Sequence, residues 1–203
     1  MNIEGVLLVI GLVIGGYLAG SIPTGVLLAR LFSTKDIRRE GSGNIGATNV
    51  FRILGAKLGA LTLAGDVLKG AVPVVLTRYL TGADMWVAAV ALAAFLGHLY
   101  PLFLKFRGGK GVATALGIFL VIAPLMVPFL IVVFYLVALK WKYVSLGSLT
   151  AAALMPVFLC LAGYSIVYVN LSLAMGCLIF YRHRGNIKRL REGTEKKISR
   201  ARA

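Results

Sequence analysis

The sequence predicts an all-α polytopic membrane protein with about seven transmembrane helices, its N-terminus outside and its C-terminus in the cytoplasm. Of its 203 residues, 59% are hydrophobic and 14% are charged, and the mean hydropathy is +0.89. Apolar residues form stretches of membrane-spanning length, and lysine and arginine collect in the short segments between them. This composition argues against a water-soluble globular protein.

The predicted spans lie at 5–29, 58–80, 84–103, 111–123, 125–139, 143–162 and 164–181. Pro124 and Pro128 interrupt the region 111–139, whose 29 residues would reach roughly 44 Å as one helix. One crossing needs about 30 Å and two need about 60 Å, so length does not decide between them. We expect two helices, short or tilted, with the prolines in or beside their outer turn.

The distribution of positive charge favours seven crossings. With the N-terminus outside, the inner segments are 30–57, 104–110, 140–142 and the tail from 182, and they hold 20 of the 22 lysines and arginines. A single crossing over 111–139 would move Lys140, Lys142 and the tail outside. Glu4 stands where a signal peptide would be basic, so we take the first stretch as a span. We predict one integral membrane domain, 1–203, with a short basic cytoplasmic tail from about 182.

The net charge of +15 and the pI of 10.3 would also suit nucleic-acid binding. The hydropathy does not, and no zinc-finger spacing or aromatic RNA-binding signature is present, so we predict no nucleic-acid partner. Cys160 and Cys177 lie inside apolar stretches without metal-binding or disulfide-framework spacing, and we interpret them as packing residues.

The second span carries two ionisable residues, Asp66 and Lys69, three positions apart and so on one helical face. Charged side chains inside a membrane face the bundle interior or water. We favour a salt bridge that fixes helix packing over a catalytic role.

The first polar segment, 41–52, reads GSGNIGATNVFR. Its glycines allow close backbone approaches, and Arg52 supplies a planar guanidinium that suits a phosphate. Neutral hydrogen-bonding positions around it are candidate ligand contacts: Ser42, Gly43, Asn44, Thr48 and Asn49. The alternative is a flexible loop with a positive-inside arginine.

The second segment, 97–114, reads GHLYPLFLKFRGGKGVAT and runs into the fourth span. Lys110 and Thr114 stand where that helix begins, and its first N–H groups and positive dipole end would favour an anion. Three glycines border this point: Gly108, Gly109 and Gly111. A nucleotide-binding P-loop would need glycine at 104 and serine or threonine at 111, where Leu104 and Gly111 stand. The alternative is a helix-breaking turn with positive-inside charges.

The third segment, 182–195, reads RHRGNIKRLREGTE and follows the last span. His183 and Asn186 would share a face of a helical extension, and both can hydrogen-bond a substrate. The alternative is a topology anchor that attracts anionic lipids. On the predicted topology all three segments emerge on the cytoplasmic side, where we expect them to converge into one cationic site.

Other enzyme signatures are absent. An HxxxxD acyltransferase motif fails because Phe103 and Lys188 stand five residues after His98 and His183. There is no GxSxG nucleophile elbow and no zinc-ligand cluster, and we predict no metal and no cofactor.

The three segments, in this order on this hydropathy background, resemble the bacterial acyl-phosphate:glycerol-3-phosphate acyltransferase family over essentially the whole chain. The polar residues 20–24 inside the first span resemble the family too. The resemblance implies a multi-pass enzyme of the bacterial cytoplasmic (inner) membrane with its active site on the cytoplasmic side. It implies acyl transfer from acyl phosphate to the 1-hydroxyl of sn-glycerol 3-phosphate, giving lysophosphatidic acid and inorganic phosphate, with membrane lipid around it.

Carried over by position, Ser42 and Arg52 match catalytic residues of the family's first motif, and Gly108, Gly109 and Gly111 match its glycerol-phosphate loop. His183 and Asn186 match active-site residues of the third motif, and Glu195 a structural residue. We add Lys110 to the catalytic set because of its charge. Either His183 or a phosphate oxygen of the donor could take the hydroxyl proton, and we prefer the donor.

A small transporter of a phosphorylated solute is the alternative function, because seven crossings, polar breaks and a positive vestibule suit it as well. Transport predicts a path from both faces of the membrane. The outer loops are tiny and nearly without charge, and no internal repeat is visible, so we favour the enzyme.

Overall fold

The computed structural model describes residues 2–198, which form ten α-helices and one short 3-10 turn without any β-strand. The chain divides into two compact units, Met1–Val121 and Ile122–Ala203. The first unit contains α1 Ile3–Ser21, α2 Thr24–Phe32, α3 Ala47–Leu54, α4 Ala56–Thr81, α5 Asp84–Leu99 and the 3-10 turn Leu102–Leu104. It also contains α6 Val112–Ile122, except for the last residue of that helix. Those of the second are α7 Met126–Trp141, α8 Val144–Leu161, α9 Ile166–Arg182 and α10 Arg184–Arg191.

The predicted single span over 5–29 is wrong, because the helix stops at Ser21 and α2 begins at Thr24. Pro23 lies between them and has no N–H to continue the hydrogen-bond ladder. Ile22 is extended, with ψ near 116°, as expected before a proline. The first apolar stretch therefore forms a 19-residue helix followed by a second, nine-residue helix.

Helices α1, α4 and α5 form the centre of the first unit. At Gly20 and Gly97 the backbones of α1 and α5 touch, since a Cβ at Gly20 would overlap with the carbonyl of Ala94 and one at Gly97 with that of Tyr17. The salt bridge predicted within α4 is confirmed: Lys69 Nζ lies 2.8 Å from Asp66 Oδ1, and the side chains are 5% and 3% exposed.

Between α2 and α4 the chain forms a surface loop and the short helix α3, which the sequence analysis had left as part of a polar segment. An apolar cluster holds this region together and includes residues from α2, the loop and α3: Val26, Ala29, Ile37, Ile45 and Val50. It lies under the first glycine segment and gives that segment a fixed base.

The region 111–139 forms two short helices, as predicted. Helix α6 has 11 residues and α7 has 16; Pro124 lies in the link between them and Pro128 in the first turn of α7. Four stretches are long and apolar enough to cross a membrane: Ile3–Ser21, Ala56–Thr81, Asp84–Leu104 and Val144–Leu161. The pair α9 and α10, bent by 59°, passes the same test together. The count of seven crossings and the orientation of the termini stay predictions.

In the second unit α8 packs against both α7 and α9. Cys160 and Cys177 are exposed on helix surfaces, so their interpretation as packing residues is wrong. Apolar side chains are exposed in the same way along α7, for example Phe129, Val132 and Tyr135. Apolar surface of this kind is expected where helices face lipid.

Candidate active site

The first glycine segment is organised by the side chain of Asn49, which is 2% exposed. Its Oδ1 accepts a hydrogen bond from the Ser42 N–H at 2.8 Å. Its Nδ2 donates to the carbonyls of Ile37 at 2.9 Å, Asn44 at 2.8 Å and Glu40 at 3.3 Å. We call this residue with its four partners the amide clamp. Because the amide is buried and bonded on both sides, we assign Asn49 to support of the loop.

The amide clamp leaves the other predicted residues of this segment at the surface. Gly41 has φ +64°, and a Cβ there would overlap with Asn49 Oδ1, so only glycine fits. The exposed positions are Ser42, Gly43, Thr48 and Arg52, while Asn44 is partly buried with its Oδ1 accepting from the Gly46 N–H at 2.9 Å. The clamp therefore presents a serine, a threonine and an arginine to the surroundings.

A turn that contains Asp36 precedes this segment. Asp36 accepts hydrogen bonds from the Arg38 backbone N–H at 3.1 Å and from its guanidinium at 2.9 Å. These bonds, with the positive charge of Arg38 and Arg39, lower the pKa of the Asp36 carboxyl to about 2. The Asp36 carboxyl in this turn therefore stays ionised at any physiological pH.

The second segment folds back onto the end of α5. Lys105 and Phe106 adopt left-handed backbone conformations, with φ of 51° and 62°, which non-glycine residues rarely do. After this reversal the Gly108 N–H donates to the Leu99 carbonyl and the Gly109 N–H to the His98 carbonyl, both at 3.1 Å. The glycines are thereby fixed against the last turn of α5.

Helix α6 begins directly after the glycines, as the sequence predicts. Lys110 is partly buried and Gly109 is buried, with the His98 ring so close that a Cβ at position 109 would overlap with its Nε2. Thr114 lies in the first turn of α6 and is fully buried, and its Oγ1 has no hydrogen-bond partner within residues 2–198. Loop 108–111 therefore presents a cation and a helix N-terminus together.

The first unit brings the first two segments together. Leu104, in the 3-10 turn of the second segment, packs against the apolar cluster that includes Ile45 and Val50 of the first. Arg52, Ser42 and Lys110 thus belong to one compact unit with a shared base.

The third segment lies in the second unit, where α9 ends and α10 begins at His183. His183 is 2% exposed, and its Nδ1 lies 2.9 Å from the Ile179 carbonyl oxygen. A carbonyl only accepts, so Nδ1 carries the proton of this hydrogen bond.

Glu195 fixes the rest of this segment. Its Oε1 accepts from Asn186 Nδ2 at 2.5 Å and from the Ser145 hydroxyl at 2.7 Å, and its Oε2 accepts from Arg189 Nε at 2.7 Å. We call this residue with its three partners the carboxylate clamp. Burial by itself would raise the pKa of Glu195, but the three hydrogen bonds and the charge of Arg189 together hold it below its usual value.

Ser145, at the start of α8, belongs to the carboxylate clamp, and sequence reasoning missed it. A lone serine in an apolar stretch carries no motif, and its partner lies 50 residues further along the chain. A second tie joins the same regions, because the Ile198 N–H donates to the Lys142 carbonyl at 2.8 Å. Within residues 2–198 there is no group of three or more histidine, cysteine or acidic side chains that could hold a metal ion.

Comparison with known families decides what these segments belong to. The family model described as glycerol-3-phosphate acyltransferase matches residues 10–193, which include the first two segments and the third as far as Gly193. The chain belongs to the glycerol-3-phosphate acyltransferase family. The family resemblance of the three segments is confirmed, and the chain is an acyltransferase with membrane helices.

Relatives in several bacteria support this assignment. The glycerol-3-phosphate acyltransferase of Geotalea daltonii is 53% identical over 184 residues, which are 91% of this chain and 94% of the relative. That of Geobacter sulfurreducens is 55% identical over 182 residues, 90% of this chain and 93% of the relative. Acyltransferases of this family thus share nearly their whole length with this chain.

The fold also matches solved structures of the family. Crystal structures of PlsY (YgiH), an integral membrane glycerol 3-phosphate acyltransferase, are 43% identical to this chain. The glycerol 3-phosphate form matches with a TM-score of 0.91 over 94% of this chain and 96% of that one. The lysophosphatidic acid form matches with a TM-score of 0.88 over 94% and 95%.

Proposed function

We propose that this protein transfers a fatty acyl group from acyl phosphate to the 1-hydroxyl of sn-glycerol 3-phosphate, giving lysophosphatidic acid and inorganic phosphate. One observation carries the proposal. The similar PlsY structures were obtained in a glycerol 3-phosphate form and a lysophosphatidic acid form, and these two molecules differ by one acyl ester. The reaction would be the first acylation of phospholipid synthesis.

The proposed donor needs little activation. Acyl phosphate is a mixed anhydride, so the acceptor hydroxyl attacks its carbonyl carbon, the bond from that carbon to the phosphate oxygen breaks, and phosphate leaves. The hydroxyl proton passes to the departing phosphate, which balances the step. The protein then has to position two anions and stabilise the charge on the carbonyl oxygen and the leaving group. Neither a metal nor a cofactor is needed for these tasks.

In the first unit, Arg52 and Lys110 are the cations that we assign to phosphate groups. Arg52 is exposed at the surface of α3, where its planar fork can contact two oxygens of one phosphate. Lys110 stands beside the N-terminus of α6, whose first N–H groups add partial positive charge at that point. We place the glycerol 3-phosphate at loop 108–111.

In the second unit, His183 and Asn186 are the neutral groups that we assign to orienting substrate. The Nδ1 hydrogen bond to Ile179 fixes the imidazole ring, and the carboxylate clamp engages the Asn186 amide nitrogen. The clamp thereby determines which way the Asn186 oxygen points. A group held in this way can hydrogen-bond a phosphate or carbonyl without itself gaining charge.

The main alternative mechanism is covalent catalysis by Ser42, in which its hydroxyl forms an acyl ester before the acceptor arrives. Under direct transfer, radiolabelled acyl phosphate incubated without glycerol 3-phosphate leaves no label on the denatured protein. Label that disappears in the Ser42→Ala variant would establish the acyl-serine route instead.

We also propose that the enzyme lies in the bacterial inner membrane with its polar segments on the cytoplasmic side. The distribution of lysine and arginine supports this orientation. Single cysteines at exposed positions 42, 107 and 188 of a variant lacking Cys160 and Cys177 should react with an impermeant thiol reagent from the cytoplasmic side. A cysteine at exposed position 125 should react from the other side. The reverse pattern would overturn the proposed orientation.

Reconstitution of the purified protein in lipid nanodiscs tests the activity. Acyl phosphate and glycerol 3-phosphate should yield lysophosphatidic acid and one phosphate per product, without ATP or coenzyme A. A nanodisc encloses no compartment, so product formation there also separates an enzyme from a transporter. Acyl-coenzyme A and the acyl thioester of acyl-carrier protein, each offered in place of acyl phosphate, should give no product. Product from either of these and none from acyl phosphate would contradict the proposed donor.

A further inference from the structure

Three ionisable side chains are buried together in the first unit, apart from the residues assigned to substrate above. Asp66 Oδ1 lies 2.8 Å from Lys69 Nζ and 3.7 Å from His98 Nδ1. The three side chains are 3%, 5% and 3% exposed. Groups of this kind are expensive to bury inside a membrane protein and commonly mark a functional element. We call Asp66, Lys69 and His98 the buried triad.

Lys69 connects the triad to the break in the first apolar stretch. Its Nζ donates to the Ile22 carbonyl at 2.8 Å, directly after the last residue of α1. The C-terminal end of a helix carries partial negative charge, which a lysine ammonium stabilises. The triad therefore contacts the chain at the end of α1 that Pro23 terminates.

His98 connects the triad to loop 108–111. Its backbone carbonyl accepts from the Gly109 N–H at 3.1 Å, and its ring lies directly against Gly109. Any shift of the ring away from Asp66 would press on this glycine or open a gap beside it. The position of the loop is thus tied to the position of the imidazole.

Helix α4 connects the triad to the start of α6. A Cβ at Gly70 would overlap with the Thr114 carbonyl, and one at Gly117 with the Val67 carbonyl, so the two backbones touch at both places. Val67 and Gly70 follow directly after Asp66 and Lys69 in the sequence. The turn of α4 that carries the triad's two charges therefore also contacts the helix that follows the glycine loop.

We propose that the buried triad is a positioning unit that sets loop 108–111 and the N-terminus of α6 for binding glycerol 3-phosphate. The inference rests on the proposed function, in which that loop binds the acceptor. Asp66, Lys69 and His98 act through the loop and do not touch substrate. Their loss should weaken binding of glycerol 3-phosphate while leaving the acyl donor and the chemical step nearly unaffected.

Folding can be separated from positioning by replacing both charges at once. Removing one partner of a buried ion pair leaves an unpaired charge, whereas apolar residues of similar size in both places are often neutral or stabilising. The test variant is therefore Asp66→Leu combined with Lys69→Met, compared with wild type in nanodiscs. We expect its Tm to stay close to the wild-type value or above it.

The KM and the Kd for glycerol 3-phosphate should rise by about 10- to 100-fold in this double variant, because a small displacement of a binding loop weakens every contact that it makes. The kcat at saturating glycerol 3-phosphate and the KM for acyl phosphate should change less than about twofold. Thr77→Val is the matched control: Thr77 is buried in α4, and its hydroxyl bonds only to the Pro73 carbonyl of its own helix among the contacts described. Its kinetics should equal those of wild type.

A second pair of variants tests His98 by itself. His98→Asn keeps a polar amide near the position of Nδ1, and His98→Leu does not, but both remove the ring that lies against Gly109. Both should therefore weaken binding of glycerol 3-phosphate to a similar extent while leaving kcat nearly unchanged. Wild-type affinity in both folded variants would contradict positioning through the ring.

Wild-type affinity in a folded double variant would reduce the triad to a packing element and overturn the inference. A fall in kcat with an unchanged KM would do the same, because it would report fewer active molecules. The Kd is measured with glycerol 3-phosphate alone, so it tests the triad even if acyl phosphate proves not to be the donor. Absence of lysophosphatidic acid from wild type with intact glycerol 3-phosphate binding would defeat the proposed donor and leave the triad standing.

Discussion

The amide clamp in the first unit and the carboxylate clamp in the second hold polar segments by different chemistry. Asn49 uses a neutral amide that bonds to backbone groups only. Glu195 uses a negative charge that bonds to three side chains, one of them an arginine. Each clamp centres on a single polar residue and keeps other predicted site residues in place around it.

The difference follows from what each clamp has to satisfy. The loop 37–46 has no regular secondary structure to pair its carbonyls, and an amide side chain can donate to several of them while it accepts from an N–H. The third segment is helical, so its backbone is already paired and only side chains need orienting. We infer that the amide clamp is needed for its loop to adopt this conformation. The carboxylate clamp, in contrast, sets the orientation of the Asn186 amide.

Asn49→Asp should have the largest effect. The carboxylate keeps the bond from the Ser42 N–H but faces the carbonyls of Ile37 and Asn44, which can no longer receive a hydrogen. Each unsatisfied buried group costs about 1–3 kcal/mol, so the active conformation of the loop should become less populated and kcat/KM should fall by about 30-fold or more. The measurement is steady-state acyl transfer together with the Tm in detergent.

The matched control is Asn2→Asp, the same chemical change at the exposed N-cap of α1, where the oxygen only accepts from the Gly5 N–H. Aspartate and asparagine cap helices equally well, so this variant should keep wild-type activity. If both variants behaved alike, the amide clamp would have no special part in the first segment.

Arg52→Lys and Lys110→Ala should have the next largest effects. Each should lower kcat/KM by about 10- to 100-fold, because one phosphate interaction is lost. Lysine retains the charge of Arg52 but cannot contact two oxygens in one plane. Arg39→Lys is the matched control, because Arg39 is an 88% exposed arginine of the same loop region. Full activity in Arg52→Lys and Lys110→Ala would remove these cations from the site.

His183→Gln should cost about tenfold in kcat if the imidazole only orients substrate, because glutamine can still hydrogen-bond. The pH profile of kcat should then gain no new basic limb. Complete loss of turnover in a folded variant would instead make His183 the general base and would move the proton chemistry into the second unit.

Glu195→Gln should be the mildest change at neutral pH, a few-fold in kcat/KM, because a glutamine oxygen still accepts from Ser145 and Asn186. The pH dependence of its stability, compared with wild type, should show what the charge of Glu195 contributes. The folded pKa of Glu195 lies below the ordinary value of 4.5, so the ionised clamp adds stability above that pH and loses it as the pH falls through the folded pKa. The Tm difference between wild type and variant should be constant at neutral pH and shrink below about pH 4.5. A difference that does not vary with pH would show that the charge is not what stabilises the tail.

Hydropathy and charge were sufficient to predict the helical class and the two short helices around Pro124. They missed the break after Ser21, because apolar residues continue on both sides of Pro23 and an average over the window conceals a change of direction. The polar residues 20–24 were the available signal. The short helix α3 was missed for the opposite reason, since its polar residues looked like a loop.

The site residues were predicted as a set, but their division of labour was not. Asn49 and Asn44 look equivalent in sequence, and only the fold shows that one is buried among carbonyls and the other is partly exposed. Asp66 and Lys69 were predicted to pair because their spacing is local. The approach of His98 to them depends on how α5 packs on α4, which no local pattern encodes.

The length of α7 has a consequence for the surrounding bilayer. Sixteen residues give a helix of about 24 Å, some 6 Å shorter than an average hydrocarbon core, and its outward face is apolar from Phe129 to Leu136. If α7 crosses the bilayer, as the seven-span prediction has it, acyl chains next to this face must compress or disorder to match it, unless the helix is drawn toward one leaflet. Lipids with shorter tails would relieve this mismatch, so membrane thickness becomes a physical variable to which this edge of the protein responds.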